Sequence, residues 1–150
     1  MMYRKILFLD DMQARHKSFR ENSSESQSLE FGGWKVTHVN TASEAIAALG
    51  DMSLYEIVFL DHDLSEEDIM NVPGRPSKVP TGMDVVDHIC KMSRPPESIV
   101  IHSCNAPAAD EMSRRLTHDR QRSGGTALNV QLIPFPHLID AMKKGRWCVE

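Results

Sequence analysis

Five short apolar runs, separated by segments with helix signals, restrict the fold of this chain more than any other feature of its sequence. The runs occupy residues 4–9, 34–39, 55–60, 98–102 and 128–133. Runs of this length, bounded by polar or turn-forming residues, are typical of buried strands rather than of helices. Strands that alternate with helices predict a parallel sheet with helices on both of its faces, which is the α/β class.

The order of the strands follows from the connections between them. Crossovers between parallel strands are right-handed, which leaves few possible topologies. We expect a five-stranded parallel sheet of order 2-1-3-4-5, the flavodoxin-like three-layer sandwich, and the length suits a single domain over residues 1–150. Such sheets bind ligands beyond the carboxyl ends of the strands, between strands 1 and 3, where the direction of winding changes.

The ends of several predicted helices are marked by capping residues. Thr41 and Glu44 have the spacing of a capping box, and Gly50 supplies a left-handed stop. Asn105 is a good N-cap for the helix that follows the fourth strand. Residues 65–80 contain three prolines and no usable periodicity, so we expect a long surface loop that lies over the strand ends.

Composition and charge exclude several classes of protein. Hydrophobic residues make up 41% and charged residues 25% of the chain, as in ordinary globular domains. The net charge of −4 argues against a duplex-DNA partner, because such domains are usually basic. No stretch approaches the roughly 18 apolar residues of a membrane helix, so no membrane partner is expected. The three cysteines are scattered, which favours a reduced, cytoplasmic chain.

Polar residues follow three of the five predicted strands at the point where each strand ends. The first strand is followed by Asp10 and Asp11, the third by DHD at residues 61–63, and the fourth by HSCN at residues 102–105. These strands are neighbours in the expected order, so their polar ends should meet at one edge of the sheet. Carboxylates so close repel one another unless a cation or a shared proton intervenes. Oxygen ligands favour Mg²⁺ or Mn²⁺, and the two histidines leave another transition metal possible.

Each part of this cluster also has a purely structural explanation. An Asp after a strand often caps a turn, a His at a strand end is often simply hydrogen-bonded, and Asn105 can be only a helix cap. Cys104 can pack as a small apolar group. The coincidence of three polar strand ends at the winding change favours a functional site over these separate explanations.

The LDD sequence at residues 9–11, together with the acid that ends the third strand, resembles a two-component receiver domain. The resemblance implies that Asp61 accepts a phosphoryl group beside a bound Mg²⁺, and that Ser103 is the small hydroxyl residue of strand 4. A receiver also has a Lys at the end of strand 5, where residues 132–134 of this chain read LIP. A non-enzymatic, phospho-accepting signalling module is therefore the alternative function.

The sequence is more similar to the group known as cyclic-phosphate processing receiver domains. Their pattern is present here as LDD at residues 9–11, Arg15-His16 with Phe19, LDHDL at 60–64, TG at 81–82 and IHSCN at 101–105. The similarity spans about residues 5–116. It implies a metal-dependent phosphoesterase whose substrate is an RNA 2′,3′-cyclic phosphate end or a small cyclic nucleotide. We take this as the leading hypothesis.

A third resemblance concerns residues 59–65, FLDHDLS, which are similar to the nucleophile motif of haloacid-dehalogenase-type phosphatases. It implies that Asp61 attacks phosphorus, that Asp63 is the general acid and that Ser103 stands in the second motif. In that family, however, the nucleophile follows the first strand of the domain, and the later Lys and acidic motifs have no clear counterpart here. We rank this hypothesis below the other two.

Under the leading hypothesis, three carboxylates bind the divalent cation: Asp10, Asp11 and Asp61. The cation would neutralise the phosphate and position or activate a water. His62 and His102 are the candidate general acid and base, because imidazole titrates near working pH. Asp63 is expected to orient one of these histidines or to act as a base itself.

Phosphate binding is expected from the polar groups beside the cation. Ser103, Asn105 and the amides at the start of the following helix are placed to hold phosphate oxygens, aided by the helix dipole. Arg15 is either a phosphate clamp or one half of a surface salt bridge. The loop at residues 65–80 could close over a small substrate.

Overall fold

The computed structural model of the chain describes residues 3–26, 32–64, 80–122 and 128–144. The strands are β1 (Arg4–Leu9), β2 (Trp34–Val39), β3 (Ile57–Leu60), β4 (Ser98–Ile101) and β5 (Asn129–Leu132). They form one parallel sheet with the order β2-β1-β3-β4-β5. The predicted fold class and strand order are confirmed.

Helices follow each strand, as the alternating pattern predicts. They are α1 (Gln13–Asn22), α2 (Ala42–Leu49), α3 (Gly82–Lys91), α4 (Ala106–Arg122) and α5 (Phe135–Lys143). A 3₁₀ turn at Ser24–Ser26 follows α1. Of the predicted loop at 65–80, residues 65–79 lie outside the described part of the chain.

The predicted capping residues lie at the helix ends, but the Thr41–Glu44 capping box is only half formed, because the Glu44 carboxylate accepts a hydrogen bond from the Thr41 hydroxyl. The Thr41 hydroxyl accepts a hydrogen bond from the Glu44 amide at 3.1 Å, and Gly50 has a φ of 59° at the end of α2. The Asn105 side chain accepts a hydrogen bond from the Ala108 amide at 3.2 Å at the start of α4. These contacts satisfy amides that a helix start leaves without intrahelical partners.

The two faces of the sheet pack against different kinds of side chain. Because side chains alternate along a strand, Leu7 and Leu9 lie on one face while Ile6 and Phe8 lie on the other. The first face packs against α2, α3 and α4 through aliphatic residues. The second packs against α1 and α5 and is rich in aromatic rings, with Phe8 and Phe19 stacked at 4.1 Å between centroids.

The register of the three central strands aligns their carboxyl ends. Leu9 pairs with Leu60, and Leu60 pairs with Ile101. The residue after each strand therefore lies at the same edge of the sheet. No helix within the described residues is both long and apolar enough to cross a membrane.

Candidate cation and phosphate site

Hydrogen bonds of the sheet continue one residue beyond the central strands and fix the backbone of the site. The Asp61 amide donates to the Leu9 carbonyl at 3.2 Å, and the His102 amide donates to the Leu60 carbonyl at 2.9 Å. The Asp10 amide donates to the Val39 carbonyl at 3.2 Å. These side chains therefore begin from rigid backbone, which is the condition for a preorganised site.

Asp10, Asp61 and His102 form what we call the inner group. One ligand atom from each lies within 4.8 Å of the others, and all three residues are buried. The His102 Nε2 donates a hydrogen bond to Asp10 Oδ2 at 3.0 Å. Two carboxylates and one imidazole thus converge at the edge between β1, β3 and β4, where the sequence predicts the site.

Asp10 is ionised within this group. Burial by itself raises the pKa of a carboxyl, but here the hydrogen bond and charge of His102 outweigh it. The Met12 amide, which donates to Oδ1 at 2.9 Å, and the Arg15 guanidinium, 3.3 Å from Oδ2, act in the same direction. The pKa of Asp10 is consequently lowered.

Asp61 has the opposite electrostatic balance. Burial, together with the charge of Asp10, raises the pKa of Asp61 to about 6, although His102, Arg15 and the hydrogen bond from the His62 amide oppose the shift. An additional cation would remove the repulsion that favours the protonated form. Asp61 is thus the group in the described site with the most to gain from a bound cation.

Asp11 lies beside the inner group and is half-buried. Burial and the charge of Asp10 raise its pKa. Its carboxylate is not among the ligand atoms that converge within the described residues, where His102 takes the third position. The sequence predicted Asp10, Asp11 and Asp61 as the three ligands. In the structure His102 stands in place of Asp11, so one of the three converging ligand atoms is a nitrogen.

Arg15 reaches from α1 over both carboxylates of the inner group. Its Nη1 atom lies 3.3 Å from Asp10 Oδ2 and 3.6 Å from Asp61 Oδ2. The guanidinium also stacks over Phe135, 5.2 Å from the ring centroid. Arg15 is therefore an ion-pair partner of both carboxylates with a side chain that is 24% exposed, and its role as a phosphate clamp stays a prediction.

His62 and Asp63 form a second cluster, which we call the outer pair. The His62 Nδ1 lies 2.7 Å from Asp63 Oδ1, and the Asp63 side chain is 49% exposed. The side-chain Nδ2 atom of Asn105 donates a hydrogen bond to Asp63 Oδ2 at 3.5 Å. Ser103 is buried, and its hydroxyl accepts a hydrogen bond from the backbone amide of Asn105 at 3.1 Å.

A chain of hydrogen bonds lies behind Asp10 and was not predicted from the sequence. The His16 Nε2 donates to the Asp10 carbonyl at 2.7 Å, and its Nδ1 lies 2.7 Å from the Nδ1 of His38. The His38 Nε2 in turn lies 2.9 Å from the Glu25 carboxylate. The only sequence signal was the Arg15-His16 pair of the family pattern, since Glu25 and His38 are 13 positions apart and share no element.

Gly82 is a second residue whose role the sequence did not reveal. A Cβ atom at this position would lie 2.1 Å from the Asp61 carbonyl oxygen and 2.9 Å from the His62 Cα atom. The Gly82 amide donates to the His62 carbonyl at 3.1 Å. The start of α3 can therefore touch the backbone of the site only because residue 82 has no side chain.

The residues at this edge fit a divalent cation. Two carboxylate oxygens and one imidazole nitrogen can approach a single point, and the raised pKa of Asp61 indicates that positive charge is in deficit there. Carboxylate and imidazole ligands together suit Mn²⁺ and other transition metals, while carboxylates alone suit Mg²⁺.

The fold and the acids at this edge define a receiver-type α/β domain, and comparisons with known proteins agree. The model of the family described as the cyclic-phosphate processing receiver domain matches residues 5–118. The chain belongs to this family. A comparison with curated protein sequences found no match.

Solved structures of receiver domains share the fold. The Mn²⁺-bound form of response regulator Rcp1 has a TM-score of 0.56 at 15% identity, covering 94% of this chain and 90% of that chain. The response regulator domain of Thermotoga maritima CheB has a TM-score of 0.51 at 13% identity, with 99% of each chain covered. A CheY-like receiver domain from Methylobacillus flagellatus has a TM-score of 0.50 at 18% identity, covering 95% of this chain and 98% of that chain.

Proposed function

We propose that this protein is a phospho-accepting receiver module in which Asp61 takes up the phosphoryl group with the help of a divalent cation. Asp61 directly follows β3 at the winding change of the sheet, beside Asp10, whose pKa is lowered. The structural neighbours are response regulators, one of them in an Mn²⁺-bound form. The leading hypothesis from the sequence, a phosphoesterase, becomes the second candidate.

The position of Arg15 is the observation that carries this proposal. The absence of Lys from residues 132–134 counted against a receiver, because a cation is needed beside the acceptor. Here Arg15 of α1 supplies that positive charge, because its guanidinium Nη1 atom lies 3.6 Å from Asp61 Oδ2. A guanidinium also presents several donors to a phosphoryl group, which a single ammonium does not do in the same planar geometry.

The chemistry requires ionised Asp61. One of its carboxylate oxygens attacks phosphorus, the new P–O bond forms, and the donor's leaving group departs with the electron pair of the old bond. Because the pKa of Asp61 is raised to about 6, the nucleophilic form is present above that pH and is depleted below it. A divalent cation would supply charge neutralisation for the phosphoryl oxygens.

A phosphorylation assay tests the proposal directly. Wild-type protein incubated with acetyl phosphate and Mg²⁺ or Mn²⁺ is expected to gain one phosphoryl group in intact mass, labile to hydroxylamine. Asp61→Asn should abolish the gain. Asp63→Asn is the matched control, because Asp63 is two residues away but exposed, and it should retain the gain. Unchanged labelling of Asp61→Asn would refute Asp61 as the acceptor.

The outer pair favours a second candidate, a phosphoesterase for cyclic phosphates, which the family's name also suggests. A phospho-accepting signalling module does not require an imidazole hydrogen-bonded to a carboxylate beside Asp61, whereas an enzyme that transfers protons does. His62 is better placed for this role than His102, because His62 is partly exposed and His102 is buried. The substrate would be an RNA 2′,3′-cyclic phosphate end or a small cyclic nucleotide. The protein would act in the cytoplasm and would bind neither duplex DNA nor a membrane.

Turnover assays separate the two candidates. With 2′,3′-cyclic nucleotides and with RNA ending in a cyclic phosphate, His62→Ala is expected to reduce turnover by about 10²–10⁴-fold. His118→Ala is the control, because His118 is exposed on α4, away from the strand ends. Wild-type turnover in a folded His62→Ala protein would eliminate the proposed proton-transfer role.

A further inference from the structure

We propose that His102 is a direct ligand of the divalent cation, together with Asp10 and Asp61, and that its imidazole makes the site prefer Mn²⁺ and later transition metals over Mg²⁺. The inference rests on the cation of the proposed function and specifies how it is bound. It differs from the all-carboxylate set expected from the sequence, and it gives His102 a role other than proton transfer.

The distances within the inner group permit coordination without rearrangement of the backbone. Two ligands at right angles on an ion with bonds of about 2.1 Å lie about 3.0 Å apart. The Asp10 Oδ2 and His102 Nε2 atoms are 3.0 Å apart. The Asp61 carboxylate lies within 4.8 Å of both, so the three atoms can face one ion.

The environment of His102 suits a fixed ligand better than a mobile proton carrier. Its ring is fully buried, stacks on Phe8 at 5.0 Å with an interplanar angle of 4°, and contacts the edge of Phe135. Its backbone is held on both sides, since the amide donates to Leu60 and the carbonyl accepts from Phe135. A ring in this position cannot turn toward solvent without displacing the aromatic residues around it.

The two ring nitrogens of His102 have different surroundings, and this difference leaves Nδ1 able to carry the imidazole proton when Nε2 binds a cation. The Nε2 atom donates to Asp10, whereas the Nδ1 atom has no hydrogen-bond partner among the described residues. An imidazole whose proton is on Nδ1 presents the lone pair of Nε2 to a cation. The oxygen of Asp10 that accepted the hydrogen bond is then available to the same cation.

The identity of the third ligand determines the preference for the metal. Mg²⁺ prefers oxygen ligands and dehydrates reluctantly, whereas imidazole nitrogen suits Mn²⁺, Co²⁺ and Zn²⁺ increasingly well. Arg15, whose guanidinium covers the same two carboxylates from the partly exposed side, has to move outward when a cation enters.

Electron spin-echo spectroscopy of Mn²⁺ bound to the full chain tests the inference. Wild-type protein should give the modulation of a directly bound imidazole nitrogen, with the nitrogen frequencies changed when histidine is ¹⁵N-labelled. His102→Gln should lose the modulation and weaken Mn²⁺ binding by at least about tenfold, with a smaller effect on Mg²⁺. His62→Gln is the control and should keep the modulation, because His62 is at the same edge but outside the inner group.

The outcomes separate this inference from the proposed function. Mn²⁺ bound by wild-type protein without nitrogen modulation overturns the His102 ligand while leaving the cation site in place, and so does modulation that persists in folded His102→Gln. Failure of wild-type protein to bind any divalent cation overturns the cation of the proposed function as well. Because the wild-type measurement needs no variant, the inference remains testable if His102→Gln does not fold.

Discussion

The inner group and the outer pair originate from the same strand ends but differ in almost every physical property. Asp61 and Asp63 are two residues apart, yet Asp61 is 3% exposed and the Asp63 side chain is 49% exposed. The carboxylate of Asp61 faces Asp10, Arg15 and His102, whereas that of Asp63 faces one imidazole and one amide. Burial thus concentrates charge effects in the inner group, which suits cation binding, and leaves the outer pair accessible, which suits exchange of protons with solvent.

The largest expected effect comes from a change that disturbs both clusters at once. Gly82→Ala places a Cβ atom 2.1 Å from the Asp61 carbonyl oxygen, so α3 or the end of β3 has to shift. We expect a loss of about 3 kcal/mol in the free energy of unfolding, typical of severe overpacking. Urea denaturation at pH 7 measures it.

Gly50→Ala is a useful comparison for that variant. Gly50 has a φ of 59° and a ψ of −145° but no atom within 4 Å of an added Cβ, so the expected loss is backbone strain alone, about 1–2 kcal/mol. Equal losses for the two variants would mean that the contact of α3 with the site backbone is unimportant.

The second prediction uses the raised pKa of Asp61. Because the folded state holds the proton up to a pH of about 6 and the unfolded state releases it near 3.8, the stability of the wild-type protein falls as pH rises between these values and the loss persists above them. Asp61→Asn removes the penalty. It should be more stable than wild type by on the order of 2–3 kcal/mol at pH 8, with a difference near zero at pH 4.

Asp63→Asn gives the matched measurement for the outer pair. Its stability should remain within about 0.5 kcal/mol of wild type across this range, because the side chain is exposed. Urea denaturation in the absence of divalent ions, repeated at several pH values, provides the curves. A pH-independent difference between Asp61→Asn and wild type would contradict the buried, repelled carboxylate.

The third prediction concerns the charge that covers the inner group. Arg15→Gln removes the guanidinium that shares both carboxylates with an incoming cation, so Mn²⁺ affinity should rise about tenfold, while phosphorylation from acetyl phosphate should fall. Isothermal titration calorimetry measures the affinity. Arg114→Gln, an exposed change on α4, should alter neither quantity. Weaker Mn²⁺ binding in Arg15→Gln would show that Arg15 supports the cation instead of competing with it.

The smallest expected effect lies behind Asp10. The hydrogen-bond chain runs from the Asp10 carbonyl through His16 and His38 to Glu25, whose carboxylate lies 2.9 Å from the His38 Nε2 atom. Glu25→Gln can donate an N–H to that nitrogen and should preserve stability at neutral pH. Glu25→Ala should lose about 1 kcal/mol by urea denaturation. If both variants were equally destabilised, the hydrogen-bond chain would not be the reason.

Much of the fold was predictable from the sequence because its signals are local. The short apolar runs predicted the strands, and the contacts made by Thr41 and Asn105 confirm their predicted capping roles. The 3₁₀ turn at Ser24–Ser26 was missed, because a short polar segment with Ser at both ends has no periodicity from which a turn can be recognised. The edge at which the site forms was also predictable, since parallel strands in a known order place their carboxyl ends together.

The arrangement within that edge was not predictable in the same way. The sequence presents Asp10 and Asp11 as equivalent acids, and only the direction of each side chain separates the buried one from the half-buried one. It presents His62 and His102 as equivalent imidazoles, although one is paired with an exposed acid and the other with a buried acid.

The sequence by itself therefore determined the α/β class, the strand order and the set of residues available at the carboxyl edge of the sheet. Tertiary structure alone decided which of these residues share a buried point, that Arg15 from α1 lies over Asp10 and Asp61, and that Gly82 touches the site backbone. The physical reason is that periodicity and capping act over a few neighbouring residues, whereas burial and charge pairing depend on distances between atoms that are remote in sequence. The pKa of Asp61 is the clearest case, because every group that shifts it, apart from the adjacent His62 amide, comes from another element of the fold.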